Sequence, residues 1–258
     1  MRMILVIVAL ATIGLNGCNP DNTNSNGNAN GNANRSDFKP PAPIKPSESV
    51  DPNFKPCNPY FPLVPGSIVK FVINYSSGIT GDLTIVVDTA DEDGKKIFVQ
   101  RSQLIDRSGG MQIIQSIVRK FECDGSVVRI LSEKTESNVA GQQSSSDFNY
   151  REGSVMMSDP DSLARKGTTW VHTFRTITHS PGQPAAVGDV PTAVSFFVDQ
   201  PEEVTTGAGT FKAIKILRKI GENGTIDYYV AGLGLVKRMA TEGTRWDLKE
   251  FSGLKVAN

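Results

Sequence analysis

The chain has 258 residues with 27 Lys+Arg against 27 Asp+Glu, three cysteines and two histidines. This balance offers no basic field to hold a polyanion, so it excludes a nucleic-acid partner, and two histidines leave little with which to build a metal site. Removing Arg2 with a leader would leave 26 basic against 27 acidic residues, a net charge of −1.

Met1 to Gly17 reads as a signal peptide. One positive charge at Arg2 precedes Met3 to Leu15 (MILVIVALATIGL), which as a helix is roughly 20 Å long, short of the roughly 30 Å hydrocarbon core. Leu15-Asn16-Gly17-Cys18 then resembles the lipobox of bacterial lipoproteins, with Asn16 at a place usually given to Ala, Ser or Thr. The resemblance implies cleavage before Cys18, a diacylglyceryl thiol labelled by palmitate, and a mature chain beginning at Cys18. An ordinary secretory signal with an incidental cysteine is the alternative. Asn19 is not the Asp that commonly retains such proteins in the inner membrane, so the resemblance implies a cell-envelope protein facing the periplasm from the outer membrane, if the cell has two.

From Asn22 to Asn34 every even position is Asn, with only Gly, Ala, Ser and Thr between. Nothing there offsets the roughly 1–2 kcal/mol per residue of ordering entropy, so residues 18–37 are expected to form a disordered tether, rather than an aggregation-prone tract. Residues 38–59 are rich in proline and are expected to form an extended linker, a spacer rather than a partner-binding motif. The folded domain is expected from Tyr60 to Val256.

That domain reads as mainly β: a curved antiparallel sheet or open half-barrel. Val69, Phe71 and Ile73 alternate with polar residues up to Ser76-Ser77-Gly78, and Leu83, Ile85 and Val87 follow in the same period. Asp91 to Gly94 turns the chain into Lys95–Gln103, and Asp124-Gly125 joins Ile113–Cys123 to Ser126–Lys134. Ser137 to Phe148 reads as a polar loop. Further strands are predicted at Thr169–Thr178, Thr192–Asp199, Thr210–Ile220, Thr225–Ala231, Gly234–Thr241 and Arg245–Phe251. One short helix is predicted behind Asp159-Pro160-Asp161, through Leu163 to Lys166.

A faint repeat runs through this pattern. Leu63–Phe71 (LVPGSIVKF) and Leu163–Phe174 (LARKGTTWVHTF) both read leucine, glycine, hydroxyl residue, strand, and Phe121–Ile130 (FECDGSVVRI) and Tyr228–Arg238 (YYVAGLGLVKR) both read strand, glycine turn, strand. Two pseudo-repeated halves of roughly 90 residues would follow, unless the spacing is coincidence.

Gly207–Ile216 (GAGTFKAIKI) followed by Tyr228–Arg238 resembles the closing signature of a group of uncharacterised bacterial envelope lipoproteins, and Tyr60–Phe71 (YFPLVPGSIVKF) is similar to that group's opening element, with Val69 where Trp is usual and Trp170 in that role in the second half. More distantly, the layout is similar to the curved half-barrels of LolA and LolB, which carry the acyl chains of lipoproteins, although this chain has no clear helices to fill a concave face. These glycines and aromatics are turn and core residues.

With Cys18 taken by lipid, Cys57 and Cys123 remain, and an exported compartment permits them to form a disulfide; two separate thiols are the alternative. Trp170, Val194, Phe196, Phe211 and Tyr228 are candidates for a ligand groove or a core. Catalytic signals are thin. His172 and His179 stand seven apart without a partnering cysteine or acid, and His172 is expected on the solvent side of its strand. Ser154 lacks a nucleophile elbow, DEDG at 91–94 does not continue as a calcium loop, and Glu202-Glu203 has no second carboxylate member. No enzyme, no metal and no cofactor is therefore expected. The expected function is a lipid-anchored module binding an apolar or amphipathic ligand; the alternative is an assembly or scaffold protein that meets an envelope protein through its sheet surface.

Overall fold

In the computed structural model, residues 42–106, 113–139, 142–188 and 190–257 are described. The expected signal peptide, Cys18 and the tether lie outside them. The folded unit begins at Pro43.

The described residues of this unit form fifteen strands and one helical turn: β1 Ile68–Asn74, β2 Thr80–Glu92, β3 Lys95–Asp106, β4 Ile113–Asp124, β5 Val127–Val139, β6 Gln142–Tyr150, β7 Val155–Met157, α1 Pro160–Leu163, β8 Thr169–His179, β9 Ala186–Val187, β10 Thr192–Val198, β11 Glu202–Thr206, β12 Gly209–Ile220, β13 Asn223–Val230, β14 Gly234–Ala240 and β15 Arg245–Ser252. Every pairing is antiparallel, and the order β10-β12-β13-β14-β15-β1-β2-β3-β4-β5-β6-β8 returns on itself because β8 also pairs with β10. The mainly β expectation holds. The sheet goes further than an open half-barrel, closing into a ring of twelve staves and so removing the edges that an open sheet would expose.

The other three strands prolong broken staves. β7 takes up pairing on β5 where β6 stops, while β9 and β11 extend the line of β10 along β8 and β12.

Around the ring, β1–β6 and β8, β10 and β12–β15 are two six-stave meanders that correspond strand for strand. Leu63–Phe71 and Leu163–Phe174 lead into the first stave of each, and the two glycine-turn segments span the fourth and fifth. Each fourth stave carries a bulge, after Lys120 and after Tyr228, and in each the residue ahead of it is ion-paired to the fifth stave: Arg119 to Glu133, and Asp227 to Arg238. The pair recurs with its polarity reversed.

Inward positions along β1, β2, β12 and β15 include Phe71, Ile73, Leu83, Ile216 and Leu248, each at most 3 % exposed. Burial of each such side chain is worth about 1.5–3 kcal/mol. Outward positions carry Lys70, Lys134, Arg175, Lys215 and Lys249 where a membrane-spanning barrel presents apolar residues to lipid, so this outer wall is built for water.

The end of the ring holding the Asp124-Gly125 turn is filled by Leu63, Met157 and Leu163, all 1 % exposed. Asn58, fully buried there, donates to Ser126 O and Ser158 O and accepts from Tyr60 N–H and Phe61 N–H. α1 starts where the sequence indicates, with the Asp159 carboxylate capping Ser162 N–H, but it ends at Leu163, a turn short of Lys166.

Two sequence expectations change. Residues 43–59 are part of the folded unit, not a free linker: Ser47 N–H and Oγ donate to Asp88, Glu48 accepts from Thr89, and the Phe54 ring meets Phe98. Proline keeps this segment out of the ladder, but its polar groups still bond Asp88 and Thr89 of β2. The polar loop expected over Ser137–Phe148 is instead the end of β5 and most of β6. Its inward residues Ser137, Ser144 and Ser146 lie among Gln115, Thr135 and Thr178, so a stave with hydroxyls on its inner face shows no apolar alternation.

Candidate ligand site inside the barrel

Cross-strand register gathers aromatic rings on the inner face of β6, β8 and β10. Phe196 pairs with Trp170, Val194 with His172, and Tyr150 with Phe174. Directly opposed side chains in an antiparallel pair stand about 4.5–5.5 Å apart at Cβ, which brings rings into contact. Trp170 and Phe196 stack at 4.8 Å and 4°, His172 meets Phe196 edge-on at 5.2 Å, and Tyr150 meets both His172 and Phe174 at 5.4 Å. Phe148 extends the wall, 5.4 Å from Phe174.

Beside this wall lies a buried charged layer. Arg119 Nε donates to Glu133 Oε2 at 2.6 Å, with Arg119 9 % and Glu133 5 % exposed. Across the ring, Arg238 donates to both oxygens of Asp227, at 2.6 and 2.7 Å, and lies 4.7 Å over the Trp246 ring. Burial opposes the charge of Arg238, and Asp227 more than offsets it, raising the guanidinium pKa. Arg218 is the third guanidinium, 6 % exposed. Burial first, and then the like charge of Arg238, push it down to about 10, with Asp227 pulling the other way. Among the described residues the Arg218 side chain makes no hydrogen bond or close ion pair, since Asp227 is already held by Arg238.

His172 is buried at 5 % exposure and faces inward, not to solvent as its strand position suggested. Burial and the nearby Arg218 charge hold its pKa down to about 4, so at neutral pH its Nδ1–H donates to Val155 O at 3.3 Å. Burial, followed by the Glu133 carboxylate, raises the pKa of Tyr150 and keeps its phenol protonated.

Four buried polar atoms have no partner among the described residues: Ser102 Oγ, Arg119 Nη2, Trp170 Nε1 and Thr225 Oγ1. Each unsatisfied group costs about 1–3 kcal/mol. Thr225 stands directly opposite Arg218 in the β12–β13 register, so this unpartnered hydroxyl neighbours the Arg218 guanidinium.

Of the sequence-stated groove candidates, Trp170, Val194 and Phe196 come together on this inner face, with Val194 fully buried. Tyr228 and Phe211 do not join them. Tyr228 points outward on β13, opposite in parity to Asp227 and Tyr229, where burial and then Glu202 raise its pKa to about 12. Phe211 is in the β11–β12 hairpin, opposite Val204; the hairpin tip reaches β15, where Ala208 N–H donates to Leu248 O. Cys57 and Cys123 are joined by a disulfide with Cα atoms 6.3 Å apart. Glu202, in β11, pairs with Lys215 at 3.3 Å, and His179 pairs with Asp147 at 3.1 Å on the exposed outer wall.

Sequence analysis missed the charged layer. Its signal was parity: Arg218 occupies the apolar phase between Ile216 and Ile220, and Arg238 follows Val236 in the same phase. A charge on the inward phase of a strand marks a buried group that needs a partner.

A concavity of about 480 Å³ lies mainly on the outer face of β4–β6 and β8, lined by Val118, Lys120, Lys134, Glu136, Asp147 and Ile177 among others. Its lining mixes charged side chains with the apolar Val118, Phe148 and Ile177. No group of three or more His, Cys, Asp or Glu is arranged to hold a metal among the described residues.

No protein-family model matches the chain, and no curated protein matches it. Two solved structures are similar: a protein described as exported, with a YmcC-like fold, from Bacteroides fragilis, at 14 % identity and TM-score 0.45 over 76 % of this chain and all of that one, and one described as a lipoprotein from Parabacteroides distasonis, at 12 % identity and TM-score 0.36 over 77 % of this chain and all of that one. Similarity this low carries no functional argument.

Proposed function

We propose that the chain is a lipid-anchored cell-envelope lipoprotein whose barrel binds an apolar or amphipathic ligand without catalysis. The contiguous aromatic wall of Tyr150, His172, Phe174, Trp170 and Phe196 carries this reading, because such a surface on an inner face gives an apolar chain something to lie against. The leader, the lipobox-like Leu15–Cys18 and the resemblance of Gly207–Arg238 to envelope lipoproteins support the location.

The alternative is an assembly role through the outer wall. The outer concavity is the feature in its favour, while the exposed large apolar residues are spread over several elements: Leu131 on β5, Val171 on β8, Val187 and Val190 in and after β9, Met239 on β14 and Val256 near the end of the chain. Native mass spectrometry of the protein extracted from envelopes separates the two. A small amphiphile bound to the chain is expected; a stoichiometric protein partner with no small molecule would overturn the ligand reading. The anchor has its own test: Cys18→Ser is expected to abolish palmitate labelling and membrane retention, and labelling equal to wild type would refute the anchor.

A further inference from the structure

Arg218 lies in a row of inward residues that crosses four adjoining staves. Trp170 of β8 faces Phe196 of β10, Phe196 faces Arg218 of β12, and Arg218 faces Thr225 of β13. Among the described residues the Trp170 indole N–H and the Thr225 hydroxyl are buried without a partner, and the Arg218 guanidinium between them makes no side-chain hydrogen bond or close ion pair. The apolar end of the row is the stacked Trp170–Phe196 pair, and the polar end is Arg218 with Thr225.

We propose that Arg218 and Thr225 receive the anionic head of an amphiphile, a carboxylate or a phosphate, whose chain lies along the Trp170–Phe196 wall; this deepens the ligand-binding reading above and rests on it. The charged layer decides the sign of the ligand. It holds three guanidiniums, Arg119, Arg218 and Arg238, against two carboxylates, Glu133 and Asp227, and both carboxylates are bound by an arginine already. Asp106, a further inward acid, lies beside Tyr75. Neutral His172 adds no charge. A cationic head would add to the excess, and a neutral head would leave the guanidinium bare. A planar oxyanion matches the fork of an arginine and can accept from a hydroxyl at the same time.

The test uses the full chain carrying Cys18→Ser, so that no acyl group of its own competes. The sequence has two tryptophans, Trp170 and Trp246, both on inward positions, so intrinsic fluorescence reports binding alongside calorimetry. Decanoate and decyl phosphate are compared with 1-decanol, which shares the chain but lacks the charge, and with acetate and inorganic phosphate, which lack the chain. The anionic amphiphiles should bind at least tenfold tighter than decanol. Arg218→Gln should reduce decanoate to the decanol level while leaving decanol unchanged, and should melt at or above wild type without ligand, since it removes a buried unpaired charge. Arg218→Lys, which retains the charge if the glutamine variant fails to fold, should retain the preference for decanoate over decanol. Equal affinity for decanoate and decanol would overturn the head-group assignment and leave the amphipathic-ligand reading standing. Phosphate or acetate binding as tightly as the amphiphiles would overturn the amphiphile in favour of a free anion. An Arg218→Gln protein that melts several degrees lower with undiminished decanoate affinity would make the residue structural. Failure of all three ten-carbon probes would overturn both the proposal and the reading it rests on.

Discussion

Arg238 holds Asp227 through two parallel hydrogen bonds, Nε to Oδ1 at 2.6 Å and Nη2 to Oδ2 at 2.7 Å, with Asp227 only 1 % exposed. This bond pins the β13–β14 hairpin inside the ring and neutralises one of two neighbouring guanidiniums. Asp227→Asn should therefore cost about 3–5 kcal/mol, because it leaves Arg238 and Arg218 together without an anion. Replacing both partners, Asp227→Leu with Arg238→Met, should cost less than the single change, since no buried charge is then stranded. Urea denaturation of the two variants decides the order, and a single variant no worse than the double would show that the pair is not coupled.

His172 makes stability sensitive to acid. Its folded pKa of about 4 lies below the usual 6.5, so the unfolded chain binds the proton first. The contribution is fully present above about 6.5 and is lost as pH falls toward 4, by about 3 kcal/mol over that interval. Replacing His172 with Phe should flatten the stability–pH curve between 6.5 and 4. An unchanged slope would mean that the imidazole is not buried.

The Cys57–Cys123 bridge encloses a sequence separation of 66 and joins the proline-rich segment to the end of β4. Closing a loop of that size is worth about 4 kcal/mol in the chain-entropy model, with measured values often smaller. Reduction, or Cys57→Ser with Cys123→Ser, should lower the denaturation midpoint while leaving the far-ultraviolet signature of the barrel intact. Two reactive thiols in the untreated native protein would refute the bridge.

Gly232, at φ +83°, packs against the C-terminal segment so closely that a Cβ would fall 1.9 Å from Lys255 O and 2.9 Å from Ala257 N. Gly232→Ala should release residues 254–257 from the β13–β14 turn and expose the Ala257 N–H that donates to Ala231 O. Hydrogen exchange at Ala257 should rise sharply, whereas Gly125→Ala, at a positive φ in open space, should leave that amide protected.

The strands with apolar alternation, the Asp124-Gly125 turn and the Asp159 cap could all be read from local pattern, because a period of two and a capping side chain need only near neighbours in sequence. The two-half spacing of Leu63–Phe71 and Leu163–Phe174 was legible for the same reason. β6 was not, since its inward residues are serines whose partners sit on β5 and β8 and leave no hydrophobic trace. Nor was ring closure, which depends on β8 meeting β10 after β6 has already paired with it. The docking of residues 43–59 likewise rests on Asp88 and Thr89, some forty positions away. The sequence determined which residues point together along each strand; only the tertiary structure decided that this common side is enclosed. Enclosure turns Arg218, one basic residue among 27 Lys and Arg, into a buried cation with no close ion pair among the described residues, because the cost of removing a charge from water arises only once the other staves stand around it.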